Sequence, residues 1–147
     1  MEKIKFSTSI KAPKEKVWKV LWDDASYRKW THVFSEGSYA VTDWKEGGKV
    51  LFLDGNGKGM VSKIETNRPN EFMSIKHLGK VNNGVEDLDS EQTKQWSGAH
   101  ENYTLKETGG VTTLTLEMDI TDEYKDYFMK TFPAALEQVK VLSENNQ

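Results

Sequence analysis

With 147 residues, 36% of them hydrophobic and 11% aromatic, the chain can form one domain, 1–147, that buries roughly 70% of its unfolded surface. Its 20 Lys and Arg are dispersed among 23 Asp and Glu, and the net charge of −3 excludes a protein built mainly to grip nucleic acid or an anionic membrane. Cysteine is absent, which excludes disulfides, thiol chemistry and cysteine-based zinc sites and fits a reducing cytoplasm.

The first residues, MEKIKFSTSIKAPKEK, carry charge throughout, so no secretory signal is expected. No stretch reaches the ~18 apolar residues of a membrane span. Ile4, Phe6, Thr8 and Ile10 alternate with Lys3, Lys5, Ser7, Ser9 and Lys11, the pattern of a half-buried strand. Ala12-Pro13 then opens a helix, because Pro is pre-set for a first helical turn. Val17, Val20 and Leu21 form its core stripe, widened by Trp18 and Trp22. Asp23 or Asp24 can cap a second short helix that runs through Trp30.

From about residue 37 the pattern turns to strands at 38–44, 49–54, 60–66 and 71–79. The breaks between them are short and rich in Gly and Asn, which places successive strands antiparallel. Segment 80–95 is polar and long, and loops of this kind are commonly functional or disordered. Two readings of it stay open. Val81, Val85 and Leu88 tuck into a cavity mouth as a lid, or the segment is a mobile acidic loop with a short helical turn near 90–95. Strands at 97–107 and 111–120 follow, the second with Leu114, Leu116, Met118 and Ile120 on one face. Tyr124, Phe128, Phe132, Ala135, Leu136, Val139 and Leu142 then recur at helical spacing, with Thr121 or Asp122 as cap. Pro133 predicts a kink or a restart, and residues 144–147 are expected to fray. Strands grouped rather than alternating with helices give an α+β class, and the wide aromatic face of the last helix calls for a curved antiparallel sheet around it.

Residues 9–31, SIKAPKEKVWKVLWDDASYRKWT, resemble the amino-terminal signature of the START-related helix-grip superfamily, often called SRPBCC. The matching features are the strand running into Ala12-Pro13, then Val17-Trp18 and Leu21, the aspartates, and Trp30. Phe132-Pro133-Ala134-Ala135-Leu136-Glu137-Gln138-Val139 is similar to the carboxy-terminal pattern of the branch near the activator of heat-shock-protein ATPase. The resemblance covers about residues 3–143. It implies a helix-grip fold, a seven-stranded sheet wrapped around the last helix with a cavity between them. No catalytic residue is carried over, since the superfamily spans carriers, hormone receptors and aromatase/cyclases.

Within KQWSGAHENY, residues 94–103, His100 and Glu101 are adjacent and so point to opposite faces of a strand. They do not form an acid–base dyad. Glu101 shares the parity of Ala99, Tyr103 and Leu105 and is expected to face the interior, whereas His100 lies with the polar set. An isolated carboxylate in an apolar interior costs several kcal/mol or takes up a proton, so a partner is expected. Met73, Ile75 and His77 share one parity on the preceding strand, which makes His77 the candidate partner. A buried polar pair that serves only structure is the alternative.

Asp54-Gly55-Asn56-Gly57-Lys58-Gly59 lacks the spacing of a phosphate loop and leads into a strand, so it reads as a hairpin turn. The three histidines are dispersed and no acidic run has calcium-loop spacing, so neither metal nor other cofactor is expected. No Gly-x-Ser-x-Gly elbow occurs and no Ser or Thr has a recognisable base beside it.

These observations lead first to a cytoplasmic binding protein for a hydrophobic or aromatic small molecule of lipid or polyketide type. The contacts expected are Trp30, Trp44, Phe52, Met60, Met73, Ile75, His77, Trp96, Glu101, Tyr103, Met118, Phe128 and Phe132, with Met129 a further adaptable side chain. The alternatives are a cyclase or dehydratase-like enzyme using His77 and Glu101, and a chaperone-cofactor-type interaction domain with a stress-response role. A protein partner or homodimer remains open; nucleic acid and membrane insertion are not expected.

Overall fold

Strands from the two ends of the chain meet first. β1 (Glu2–Ile10) and β8 (Val111–Ile120) pair antiparallel from Glu2↔Ile120 to Ile10↔Thr112, so their alternating apolar residues share one buried face. The computed structural model describes residues 1–145. Its other strands are β2 (Tyr39–Val41), β3 (Lys49–Leu53), β4 (Lys58–Arg68), β5 (Phe72–Asn82), β6 (Val85–Asp87) and β7 (His100–Thr108). The main path, β1-β8-β7-β5-β4-β3-β2, has the seven strands expected, all antiparallel to their neighbours.

The eighth strand, β6, lies inside the segment taken from the sequence as a loop. β5 runs on to Asn82, turns through Asn83 and Gly84, both at positive φ, and returns as β6. Asn-Gly with both residues left-handed is a two-residue hairpin turn, and that pair was the available signal. Beyond it, Ser90 accepts the Thr93 N–H at 3.2 Å and caps α3 (Glu91–Lys94), the helical turn expected near 90–95.

Pro13 stands as the cap of α1 (Lys14–Trp22), one residue outside it, and Asp23 caps α2 (Asp24–Trp30) by position, without a side-chain bond. A 3-10 turn, Thr31–Val33, continues α2. The terminal helix α4 (Asp122–Glu144) passes through Pro133 as one element, so no restart occurs. Pro133 and Met129 are both on the exposed side of α4, away from the packed core. Fraying from 144 is also not seen: the Glu144 carboxylate accepts the Lys11 N–H and a Lys140 ammonium hydrogen, each at 2.8 Å. Residues 146–147, part of the same expectation, lie outside the described residues.

Pro133 divides α4 by what it covers. After it, Ala135, Leu136 and Val139 join Ile10, Val17, Leu21, Leu114 and Leu116 in the packed core. Before it, Tyr124, Tyr127 and Phe128 stand over a space left between helix and sheet.

Candidate functional site

Two irregularities in the sheet decide which polar side chains reach this space. β4 and β5 shift register between Val61 and Ser62, so that Leu78 has no partner, and again between Ile64 and Thr66, leaving Glu65 extra. Before the first of these bulges, Met73, Ile75 and His77 alternate inward; after it the alternation is reset, which brings Lys80 to the same wall as His77. On β4, Lys58, Met60 and Ser62 keep one parity. Across the other edge of β5, Ile75 faces Glu101 and the His77 N–H donates to the Ala99 carbonyl. Glu101 is therefore diagonal to His77, a separation that long side chains bridge.

They do so. His77 Nε2 lies 2.9 Å from Glu101 Oε1, the Tyr103 hydroxyl donates to Glu101 Oε2, and Ser62 Oγ lies 2.7 Å from His77 Nδ1. A carboxylate only accepts, so His77 Nε2–H donates to Glu101, while Nδ1 meets the Ser62 hydroxyl. The His77 and Glu101 side chains are 8% and 15% exposed. Burial, and then the Glu101 charge, push the Tyr103 and Tyr27 hydroxyls well above the ordinary phenol range, so both keep their protons. His100 is on the opposite face as expected, its Nε2 3.0 Å from Glu65 Oε2.

The space is a pocket of about 430 Å³, within the range of pockets that hold one drug-sized molecule. Ten of the residues expected at a site line it: Trp30, Phe52, Met60, His77, Trp96, Glu101, Tyr103, Met118, Phe128 and Phe132. Three do not. Met73 and Ile75 have the inward parity but lie in the packed core, at 0% and 1% exposure. Trp44 leaves the strand direction at φ 59° and packs its ring on Trp22, 4.8 Å between centroids, beside a separate small pocket of about 80 Å³. The lid reading fails as well. Val85 is 72% exposed, Leu88 lies against Gly79, and Val81 is buried away from the pocket; of segment 80–95, only Lys80 lines it. Met129, another adaptable side chain expected, is exposed.

Several wall residues went unnoticed in the sequence. Tyr27 and Thr31 join Trp30 and Phe34 at helical spacing, i, i+3, i+4, i+7, and that periodicity was the missed signal. The mouth residues Lys58 and Lys80 gave none. The sequence also offered no base beside a serine, whereas the fold sets Ser62 against His77. Ser62 is wholly buried and does not line the pocket, so its hydroxyl positions the imidazole and does not meet a substrate. The groups that do face the pocket, a carboxylate, an imidazole and a phenol, can orient a polar group or exchange a proton with it. Among the described residues no three His, Asp or Glu converge as metal ligands, and no helix is long and apolar enough to cross a membrane.

The fold has many solved counterparts. DynU16, a protein in the dynemicin biosynthetic locus, superposes with a TM-score of 0.74 at 13% identity; all of this chain matches 49% of that one. This chain thus spans about half the length of DynU16. Protein MLL2253 from Mesorhizobium loti gives 0.73 at 15% identity, with 99% of each chain covered. The Aha1 dimer from Colwellia psychrerythraea gives 0.70 at 19%, over 100% of this chain and 99% of that one. At these identities the likeness is one of fold. No curated protein matches the sequence. Residues 11–144 match the family described as Activator of Hsp90 ATPase homolog 1-like protein, and the helix-grip geometry agrees with that match. The chain belongs to the Activator of Hsp90 ATPase homolog 1-like family.

Proposed function

We propose that this protein binds one hydrophobic or aromatic small molecule, of lipid or polyketide type, in the pocket between α4 and the sheet. One observation carries the reading: a largely aromatic wall encloses about 430 Å³ and presents to it the Glu101 carboxylate, held by His77 and Tyr103. The wall supplies the driving force, roughly 25 cal/mol per Å² of apolar surface removed from water. Glu101, His77 and Tyr103 supply orientation, because a ligand hydroxyl or amine donates to the carboxylate more favourably than an apolar group displaces water from it. A fold relative in a biosynthetic locus supports a biosynthetic small molecule as occupant. The lack of cysteine suits a cytoplasmic carrier.

A second reading, cyclase or dehydratase-like chemistry, is favoured by the facing of imidazole, carboxylate and phenol on one wall. The family's named activator role and a dimeric fold relative leave a protein partner or homodimer as the third. Native mass spectrometry of protein purified without denaturation, followed by extraction and identification of the bound material, tests the first. A retained apolar molecule, bound more weakly by Glu101→Gln, is the expected result. Fully apo protein with no saturable uptake of any apolar probe refutes it. Turnover of the bound molecule that is lost in both His77→Ala and Glu101→Gln moves the assignment to the enzyme.

A further inference from the structure

The two ends of the pocket differ in charge. At the inner end Glu101 is acidic and both of its oxygens already accept hydrogen bonds. Toward the mouth stand Lys58, exposed, and Lys80, half-buried. Lys58 pairs with Asn82 and Lys80 with Met60, so the two lysines are diagonal neighbours on one face of the β4–β5 ladder.

Neither ammonium has an ion-pair partner among the described residues. Lys80 Nζ donates to a neutral acceptor, Gln92 Oε1, at 2.7 Å. Two further carboxylates line the pocket and neither forms an ion pair with these lysines, though the Asp54 and Lys58 charges attract each other at longer range. Asp54 Oδ1 accepts the backbone N–H of Asn56 and of Lys58, at 2.7 and 3.0 Å. Asp119 accepts the His100 N–H at 2.9 Å and meets Lys3 at 3.3 Å. Two ammoniums against the one Asp54 charge leave this part of the wall net positive, which favours an anion between the lysines.

We infer that the molecule held here is an amphipathic acid, its carboxylate or equivalent anion seated between Lys58 and Lys80 and its apolar body directed inward to Glu101. The Glu101 charge fixes the direction, since it repels an anion from the inner end and accepts a hydroxyl or amine there. This inference rests on the binding reading above and names the ligand class of that same site.

Displacement of the neutral fluorescent probe N-phenyl-1-naphthylamine by dodecanoic acid and by dodecanol tests it, because the two competitors share an apolar body and differ in head-group charge. The acid is expected to compete at about tenfold lower concentration than the alcohol, the ratio that one charge-assisted hydrogen bond supplies. The ratio should collapse to about one in the Lys58→Gln/Lys80→Gln variant. It should invert in Lys80→Glu, with dodecylamine replacing the acid as the better competitor. Equal competition by acid and alcohol in the parent protein, or a ratio unchanged in the double variant, overturns the inference while leaving the binding reading intact. If the probe and both competitors fail to bind the parent protein at all, the binding reading itself falls, and this inference with it.

Discussion

Removing the Glu101 carboxylate tests the buried network at its centre. In Glu101→Ala, His77 Nε2–H and the Tyr103 hydroxyl both lose their acceptor. An unsatisfied buried donor costs about 1–3 kcal/mol, which for two gives roughly 2–6 kcal/mol. The pocket is open beside them and water can reach one donor, so the lower part of that range, about 2–4 kcal/mol, is expected. Glu101→Gln behaves differently. Its Oε1 still accepts from His77, and its amide hydrogen donates to the Tyr103 oxygen, since a phenol does both. Both bonds survive without their charge assistance, which roughly halves each, while the cost of a buried charge disappears. The net loss is then about 1 kcal/mol or less. Urea denaturation of both variants provides the measurement, with the slope m unchanged. A cycle with Tyr103→Phe should give a coupling of about 1–2 kcal/mol to Glu101→Ala. Glu101→Ala no more destabilising than Glu101→Gln, together with zero coupling to Tyr103→Phe, would refute the network.

The remaining predictions concern other parts of the chain. Because the Tyr27 and Tyr103 hydroxyls are raised by burial and then by Glu101, the folded protein holds protons that the unfolded chain releases above about pH 10. Their contribution is whole below that pH and is lost as pH climbs beyond it. Ultraviolet titration should therefore show these two of the five tyrosines ionising only with unfolding; all five ionising together in an intact fold would contradict it. The Asp87 carboxyl is held down to about 2 by the Ser90 hydroxyl and N–H, with Thr93 and Asp89 adding to them. A depressed carboxylate stabilises above its unfolded value of about 4 and loses that effect as pH falls towards 2, so the Ser90 and Thr93 amide signals should shift in that window. Amide signals that titrate with a midpoint at the unfolded value would show that Asp87 does not hold α3. Pro133→Ala restores the α4 hydrogen bond to Met129 and should raise stability by about 1–3 kcal/mol; a lower melting temperature would mean that the proline is needed by its surroundings.

Local pattern carried the fold a long way. Period-two runs such as Leu114–Ile120, period-3.6 runs such as Phe132–Val139, and the Gly- and Asn-rich breaks are properties of neighbouring residues, so they are present before folding. The inward face of Glu101 and the outward face of His100 followed from the same alternation. The Asn83-Gly84 turn was equally local, and its omission turned β6 into a loop. What the tertiary structure decided was every relation across strands. The bulges at Leu78 and Glu65 reset the parity of one strand against the next, and only they bring His77, Ser62 and Lys80 to one region. Depth was decided there too. Met73 and Ile75 share the inward face with His77, but whether an inward side chain meets core or pocket depends on where α1, α2 and α4 cover the sheet, a matter of packing between segments far apart in sequence.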